Sequence, residues 1–244
     1  MKKTLVLFDV DGTLTKSNKV IKQKTIDILL KLRKKVDLGI ISSSNIEKQK
    51  EQLLEKNFSL FKYIFSENGL VGFKNGDLIN KTSIINELGE EKIKILINKA
   101  LEYMSKLDIP KKRGTFVEFR NGMINLCPVG RSCSLSERLE FFEYDNKHNI
   151  RVNMVKHLSE ELKDLNLSFS IGGQISIDVF PKGWDKTYCL QFVKDEYSRI
   201  LFFGDRTNKG GNDYEIYNSE LTEGYAINSP EETISKLNEL FDLQ

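Results

Sequence analysis

Two aspartates one residue apart, Asp9 and Asp11, close the apolar run Leu5-Val6-Leu7-Phe8 and are followed by Gly12 and Thr13. Such a pair at the end of a buried strand can hold a hard cation and leave one carboxylate oxygen free to attack. A second apolar run, Ile200–Phe203, ends in Gly204-Asp205, and Gly210-Gly211-Asn212-Asp213 follows. A third carboxylate at the same sheet edge completes an oxygen-rich site suited to Mg²⁺. Asp213 is then either a direct ligand or a partner that fixes the loop. Lys186, in Trp184-Asp185-Lys186, offers a cation that would neutralise both a carboxylate nucleophile and a transferring phosphoryl group. Together these residue types point to phosphoryl transfer.

A second polar cluster lies mid-chain. It runs Arg113-Gly114-Thr115-Phe116-Val117-Glu118-Phe119-Arg120-Asn121-Gly122, then Gly130-Arg131-Ser132-Cys133, then Arg138. Guanidinium groups give planar, paired donors that match phosphate. Arginines spread over strand, loop and helix suit one phosphate remote from the transfer site. In Ser170–Asp178, Ser176 and Asp178 are two apart on a predicted strand, so they share a face and can both meet sugar hydroxyls.

The elements that must position these groups follow from hydrophobic spacing. Strand 4–9, helix 22–35, strand 37–41, helix 46–56 and strand 63–65 alternate as β-α-β-α-β, which predicts a parallel sheet with helices on both faces. Ser42-Ser43-Ser44-Asn45 supplies a helix N-cap, and Lys74-Asn75-Gly76 turns a hairpin between strands 70–73 and 77–80. After about residue 82 the style changes. A helix over 89–106, a hairpin of strands 114–119 and 122–127, helices over 134–145 and 149–165, and strands 167–171 and 174–180 form an α+β unit. Helix 186–195, strand 200–204, strand 224–227 and helix 230–241 return to α/β. The expected fold is a Rossmann-like parallel-sheet core domain, 1–82 plus 187–244, with an inserted α+β cap domain at 83–186 carrying an antiparallel sheet.

Composition narrows the function. The net charge of +2 over 244 residues, with no basic stretch interleaved with aromatics, points away from nucleic acid. No apolar stretch is long enough for a membrane span, so no membrane partner is expected. The start Met-Lys-Lys-Thr-Leu-Val-Leu-Phe opens like a signal peptide, but Asp9 and Asp11 interrupt it and no cleavage site follows, so it is expected to be a cytoplasmic protein's first strand. Cys127, Cys133 and Cys189 fit no CxxC pattern, as expected of reduced thiols. His148 and His157 lie nine apart in predicted helices and suit no zinc site.

The first block resembles the opening motif of the haloacid-dehalogenase-like phosphotransferases. With SENGLVGFKNG, KKRGTFVEFRNGMINLCPVGRSCS, FSIGGQISIDVFPKGWDKTYCL and FFGDRTNKGGNDYEI, residues 4 to 243 resemble the eukaryotic-type phosphomannomutases. The resemblance implies interconversion of mannose 6-phosphate and mannose 1-phosphate, feeding GDP-mannose synthesis. It implies Mg²⁺, a hexose 1,6-bisphosphate activator (glucose 1,6-bisphosphate or mannose 1,6-bisphosphate), a cytosolic setting and a homodimer formed through the caps. Asp9 matches the nucleophile that becomes phosphorylated, and Asp11 the general acid/base. Asp9, Asp11 through its backbone carbonyl, and Asp205 match the Mg²⁺ site. Arg120, Arg131 and Arg138 match the cap residues that grip the phosphate not in transfer, and Ser176 and Asp178 match sugar contacts.

The chain departs from that pattern in places. Asn18 stands where the family has an arginine near the sugar phosphate, and Ser42-Ser43-Ser44-Asn45 replaces Gly-Gly-Ser-Asp, leaving Ser42 or Ser43 to supply a phosphate-binding hydroxyl. In the loop that binds a second cation in relatives, Tyr217 replaces a phenylalanine, Ser219 replaces an aspartate, and Thr222 completes the set. A weakened second site is the expectation. The alternative reading is a phosphatase acting on sugar phosphates or hexose 1,6-bisphosphate with the same Asp9 chemistry. Loss of the arginine at Asn18 leans towards it; the cap arginines lean towards the mutase.

Overall fold

A computed structural model of the protein describes residues 3–243. In chain order its elements are β1 (Thr4–Phe8), α1 (Gln23–Leu32), β2 (Asp37–Ile41), α2 (Ile46–Leu53), β3 (Tyr63–Ser66), β4 (Val71–Lys74) and β5 (Asp77–Lys81). There follow α3 (Ile84–Lys106), β6 (Val117–Phe119), β7 (Ile124–Leu126), α4 (Leu135–His148), α5 (Ile150–Glu161), β8 (Leu167–Gly172) and β9 (Ser176–Pro181). The chain closes with β10 (Arg199–Gly204), α6 (Tyr214–Tyr217), β11 (Glu223–Ala226) and α7 (Pro230–Phe241). It divides into two compact units, one up to Lys81 and from Trp184 onward, the other Thr82–Gly183. Residues 184–186, expected at the end of the cap, therefore lie in the core unit, where buried Trp184 and Lys186 pack.

The core unit holds a seven-stranded sheet in the order β11-β10-β1-β2-β3-β4-β5. The pairs from β11 to β3 are parallel, and the β4–β5 hairpin adds antiparallel strands at one edge. Parallel strands are covered on both faces, which is why β1 and β10 read as unbroken apolar runs. Val6 and Phe8 join Ile26, Leu29 and Leu237 on one face, while Leu5 and Leu7 join Cys189, Leu190 and Ile216 on the other. Phe8 of β1 lies in register with Phe203 of β10, so Asp9 and Asp205 leave adjacent strands at the same sheet edge. The chain runs from β1 to β2 on one side and meets β10 on the other, a switch point where α/β sheets bind ligands.

In the cap unit an antiparallel sheet is ordered β6-β7-β9-β8, with α3 and α5 against β9 and α5 against β8. Ile124, Leu126, Ile177 and Val179 are buried. The residues between them alternate to the other face, as the pleat requires. Glu118 pairs with Asn125, Asn125 with Asp178, and Asp178 with Ser170, giving a polar row across all four strands.

Some elements differ from the sequence expectation. The helix expected over 186–195 is a 3₁₀ segment, Lys186–Phe192, started by Asp185, whose Oδ1 accepts from the Thr187 N–H at 2.8 Å. A side chain at Gly69 would meet the Cys189 backbone at 3.1 Å, so this segment lies backbone to backbone against the Glu67–Gly69 turn. α3 begins five residues early, capped by Ser83, because the chain passes a positive-φ kink at Gly89 and continues. The hairpin strands are shorter than expected, since Gly114 and Thr115 take positive φ. Among the described residues no helix is long and apolar enough to cross a membrane, and the three cysteines are free thiols.

Candidate active site

Asp9 follows β1, is 5% exposed, and its backbone N–H donates to the Phe203 carbonyl at 2.8 Å. Lys186 is completely buried and its Nζ donates to Asp9 Oδ1 and, at 2.5 Å, to Asp213 Oδ1. Asp213, also fully buried, accepts the Arg206 N–H on its other oxygen at 3.0 Å. Both Asp213 oxygens are thus engaged by the protein, which suits a residue that fixes Lys186 and the 206–213 loop.

Asp9, Asp205 and Asp213 each offer a carboxylate oxygen within 4.8 Å of the others. Three carboxylates cluster about one ammonium group, and the imbalance appears in the acidity of Asp9 and Asp205. Burial, and beyond it the Asp213 and Asp205 charges, push the Asp9 carboxyl up to about 7 despite the opposing pull of Lys186. Burial and Asp213 raise Asp205 as well. Gly12, at φ +82°, leaves room for the Asp205 carboxylate, which a Cβ there would strike. Clustered, under-neutralised hard oxygens fit a divalent cation such as Mg²⁺.

Asp11 turns towards α2. Its Oδ1 accepts from the Asn18 N–H and from Gln52 Nε2, both at 2.7 Å, and its Oδ2 pairs with Lys48 at 3.3 Å. Burial raises its pKa, but these donors outweigh that and hold the carboxyl below the ordinary range. Asn18, at φ 55°, contributes its backbone N–H to Asp11, while its side-chain amide donates to Ser17 Oγ at 3.4 Å. Ser42 is buried and its Oγ accepts the Ser44 N–H at 3.1 Å; Ser43 is exposed. Asp9, Asp11, Asn18, Ser42, Ser43, Lys48, Asp205 and Arg206 border one cavity of about 210 Å³.

On the cap sheet, Glu118 Oε2 accepts from Arg120 Nε at 3.1 Å and Nη2 at 2.6 Å, and forms an ion pair with Arg131 Nε at 2.8 Å. Arg131 Nη1 also donates to Asn125 Oδ1 at 2.9 Å, and Asn125 Nδ2 donates to Asp178 Oδ1 at 2.6 Å. Arg138 lies on α4, half-buried, and joins Arg131 in opposing the burial that raises the Cys127 thiol to about 11. Ser176 is buried at the start of β9, where its carbonyl accepts from Arg151 Nη1 at 3.2 Å. Arg151 is held in turn by Asp145 at 2.7 Å, a buried pair behind the β8–β9 turn.

Tyr217, Ser219 and Thr222 form one turn. Ser219 Oγ accepts the Leu221 N–H at 3.2 Å, Thr222 Oγ1 donates to the Ile216 and Ser219 carbonyls, and Gly224 makes room for the Tyr217 carbonyl.

Sequence reasoning did not single out Lys48, Gln52, Arg206, Glu118 as a clamp, Asn125, or the Asp145–Arg151 pair. Lys48 and Gln52 carried a usable signal: they are four apart, hence on one face of the helix that starts at the Ser42–Asn45 cap.

A profile of the eukaryotic phosphomannomutase family matches residues 25–243. The chain is 56% identical to the phosphomannomutase of Dendrobium officinale over 94% of its own length and 90% of the relative's. It is 55% identical to phosphomannomutase 1 of Dictyostelium discoideum, over 98% and 96% of the two chains. The chain belongs to the eukaryotic phosphomannomutase family. Membership extends through both units, since the matched residues run from α1 to the end of the chain's last helix. Solved structures similar in fold include a trehalose-6-phosphate phosphatase of Aspergillus fumigatus, at TM-score 0.61 and 16% identity over 100% of this chain and 94% of that one. A haloacid dehalogenase-like hydrolase of Bacteroides thetaiotaomicron gives 0.60 and 15% over 98% and 100%.

Proposed function

We propose that the chain interconverts mannose 6-phosphate and mannose 1-phosphate, as an isomerase that passes the phosphoryl group through Asp9. Its membership of the phosphomannomutase family supports this. The observation that carries it is the Asp9–Lys186–Asp213 cluster beside Asp205, a nucleophile fixed by a buried cation at the edge of β1.

In this reading an Asp9 oxygen attacks phosphorus of a hexose 1,6-bisphosphate and the bond to the sugar oxygen breaks. Asp11 gives that oxygen a proton, and in the next half-cycle takes one from the hydroxyl that attacks phospho-Asp9. The Asn18 N–H, Gln52 and Lys48 hold Asp11 ionised, ready for the second role. Lys186 keeps one Asp9 oxygen fixed, so the other faces the incoming phosphorus. Asp9, Asp205 and the Asp11 carbonyl would hold Mg²⁺, which when bound offsets negative charge on the transferring group. Ser42, Ser43 and Lys48 supply donors to that group. Arg120, Arg131 and Arg138 take the other phosphate, and Ser176 and Asp178 take sugar hydroxyls. The bisphosphate activator, a cap-mediated homodimer and a cytosolic setting belong to the same proposal, as does a weak second cation at Tyr217, Ser219 and Thr222.

The test is phosphorus NMR of the purified protein with mannose 1-phosphate, Mg²⁺ and a catalytic amount of glucose 1,6-bisphosphate. Conversion to mannose 6-phosphate without inorganic phosphate is the expected outcome. Steady release of inorganic phosphate would contradict it and mark a phosphatase that tolerates Asn18 in place of the family arginine.

A further inference from the structure

The four cross-strand residues on the polar face of the cap sheet are joined by more than register. One Glu118 oxygen accepts two guanidinium N–H groups from Arg120, at 3.1 and 2.6 Å, and pairs with the Arg131 guanidinium at 2.8 Å. Arg131 then bridges from Glu118 to Asn125, and Asn125 bridges from Arg131 to Asp178. Asn125 is 1% exposed, and both ends of its amide are used with one polarity: the oxygen accepts from a cation and the nitrogen donates to a carboxylate. No other ordinary side chain of this size can serve both neighbours. Aspartate would set a carboxylate against Asp178, and leucine would take a hydrogen-bond partner from both half-buried neighbours.

We propose that Asn125 is a positioning residue that couples grip on the remote phosphate to recognition of the sugar. The inference rests on the reading of Arg131 as a phosphate residue and Asp178 as a sugar residue. Its physical content is a chain of charge-assisted hydrogen bonds. When a phosphate draws Arg131 away from Asn125, the amide is released and Asp178 Oδ1 loses its fixed donor. When Arg131 stays, Asp178 is held with Oδ1 occupied and Oδ2 left for a hydroxyl. The two contacts are thereby one cooperative unit although Arg131 and Asp178 meet only through Asn125. Glu118 sets the starting geometry by keeping Arg120 and Arg131 side by side before any phosphate arrives.

The experiment is a double-mutant cycle on the full chain, reading apparent KM and kcat separately for mannose 1-phosphate. Arg131→Ala and Asp178→Asn are made singly and together, in the wild-type and in the Asn125→Ala background, which removes the bridge and adds no charge. Groups that share a network deviate from additivity, and groups that do not are independent. The expected result is non-additive KM effects by about threefold or more in the wild type, becoming additive with Asn125→Ala, while kcat effects stay small. Additivity in both backgrounds overturns the coupling, and so does equal non-additivity in both. Should Asn125→Ala not fold, Glu118→Gln replaces it: the coupling should survive there, with KM raised through the arginines alone, and its loss would place the link in Glu118 instead. Wild-type turnover measured alongside separates the underlying reading, because a phosphatase still yields a KM for the cycle. If the wild type turns over no hexose phosphate, the same cycle is read as calorimetric Kd for mannose 1-phosphate.

Discussion

In the core unit two carboxylates, Asp9 and Asp213, share one buried ammonium group at the strand ends beside Asp205, with Asp213 and Lys186 fully buried. In the cap unit two guanidinium groups share one carboxylate on a sheet face where Arg120 and Arg131 remain about a third exposed. Both are preorganised by an ion of opposite sign, but the physical consequences differ. A buried ion cannot fall back on water, so removing its partner strands a charge and strikes folding and chemistry together. A half-exposed ion can be rehydrated, so removing its partner costs little stability and is felt through the ligand. In the proposed function, the site for bond-breaking is therefore built into the core, and the site for recognition stands on a surface that can release and recapture its ligand.

The largest effect that sharpens this contrast is Lys186→Met. Without divalent cation it leaves Asp9 and Asp213 unpaired, and urea unfolding should show a loss of about 3–5 kcal/mol. A loss under about 1 kcal/mol would mean the core cluster behaves like a surface pair. Arg138→Ala should do the reverse. Apparent KM for mannose 1-phosphate should rise about tenfold to a hundredfold, with the thermal midpoint nearly unchanged. Unaltered KM would make Arg138 an ordinary surface residue.

Two pH experiments probe smaller effects. The Asp9 carboxyl is raised, so the folded protein without cation holds more protons than the unfolded chain between about pH 4 and 7, and its stability falls as pH rises through that window. Cation and proton compete for Asp9, so Mg²⁺ should raise the thermal midpoint more at about pH 8 than at about pH 6. An equal or larger shift at the lower pH would remove Asp9 from the cation site. In the cap, Glu137 is lowered to about 2 by its bond to Arg113 and by the Ser134 N–H it caps. Its contribution is complete above the unfolded value and is lost as pH falls from about 4.5 towards 2. Glu137→Gln should therefore flatten the acid limb of the cap's unfolding curve slightly, and an unchanged limb would show that this pair adds nothing measurable.

Much of the architecture was readable from local pattern. Leu5–Phe8 and Ile200–Phe203 announce strands buried on both faces, and Asp9 and Asp205 mark their ends. The switch to hairpins after residue 82 announces a second unit. What was unreadable depends on register and distance. The row Glu118–Asn125–Asp178–Ser170 exists only because β7 sits between β6 and β9, an order that turn signals do not give. Lys48 and Gln52 reach Asp11 across some forty residues of chain. The 3₁₀ form of Lys186–Phe192 follows from close packing on Gly69, which periodicity cannot see. Asp145 and Arg151 look like two surface charges in sequence, yet they are a buried pair bracing the turn before Ser176.

The most direct test of the central claim, that Asp9 carries the phosphoryl group, is the intact mass of acid-quenched protein. Wild type and Asp9→Asn would each be exposed briefly to glucose 1,6-bisphosphate and Mg²⁺. One added phosphoryl group is expected on the wild type, lost on warming as an acyl phosphate is, and none on the variant, whose circular dichroism stays native. A phosphoryl group on the folded variant, or one mapped to another residue of the wild type, would contradict it.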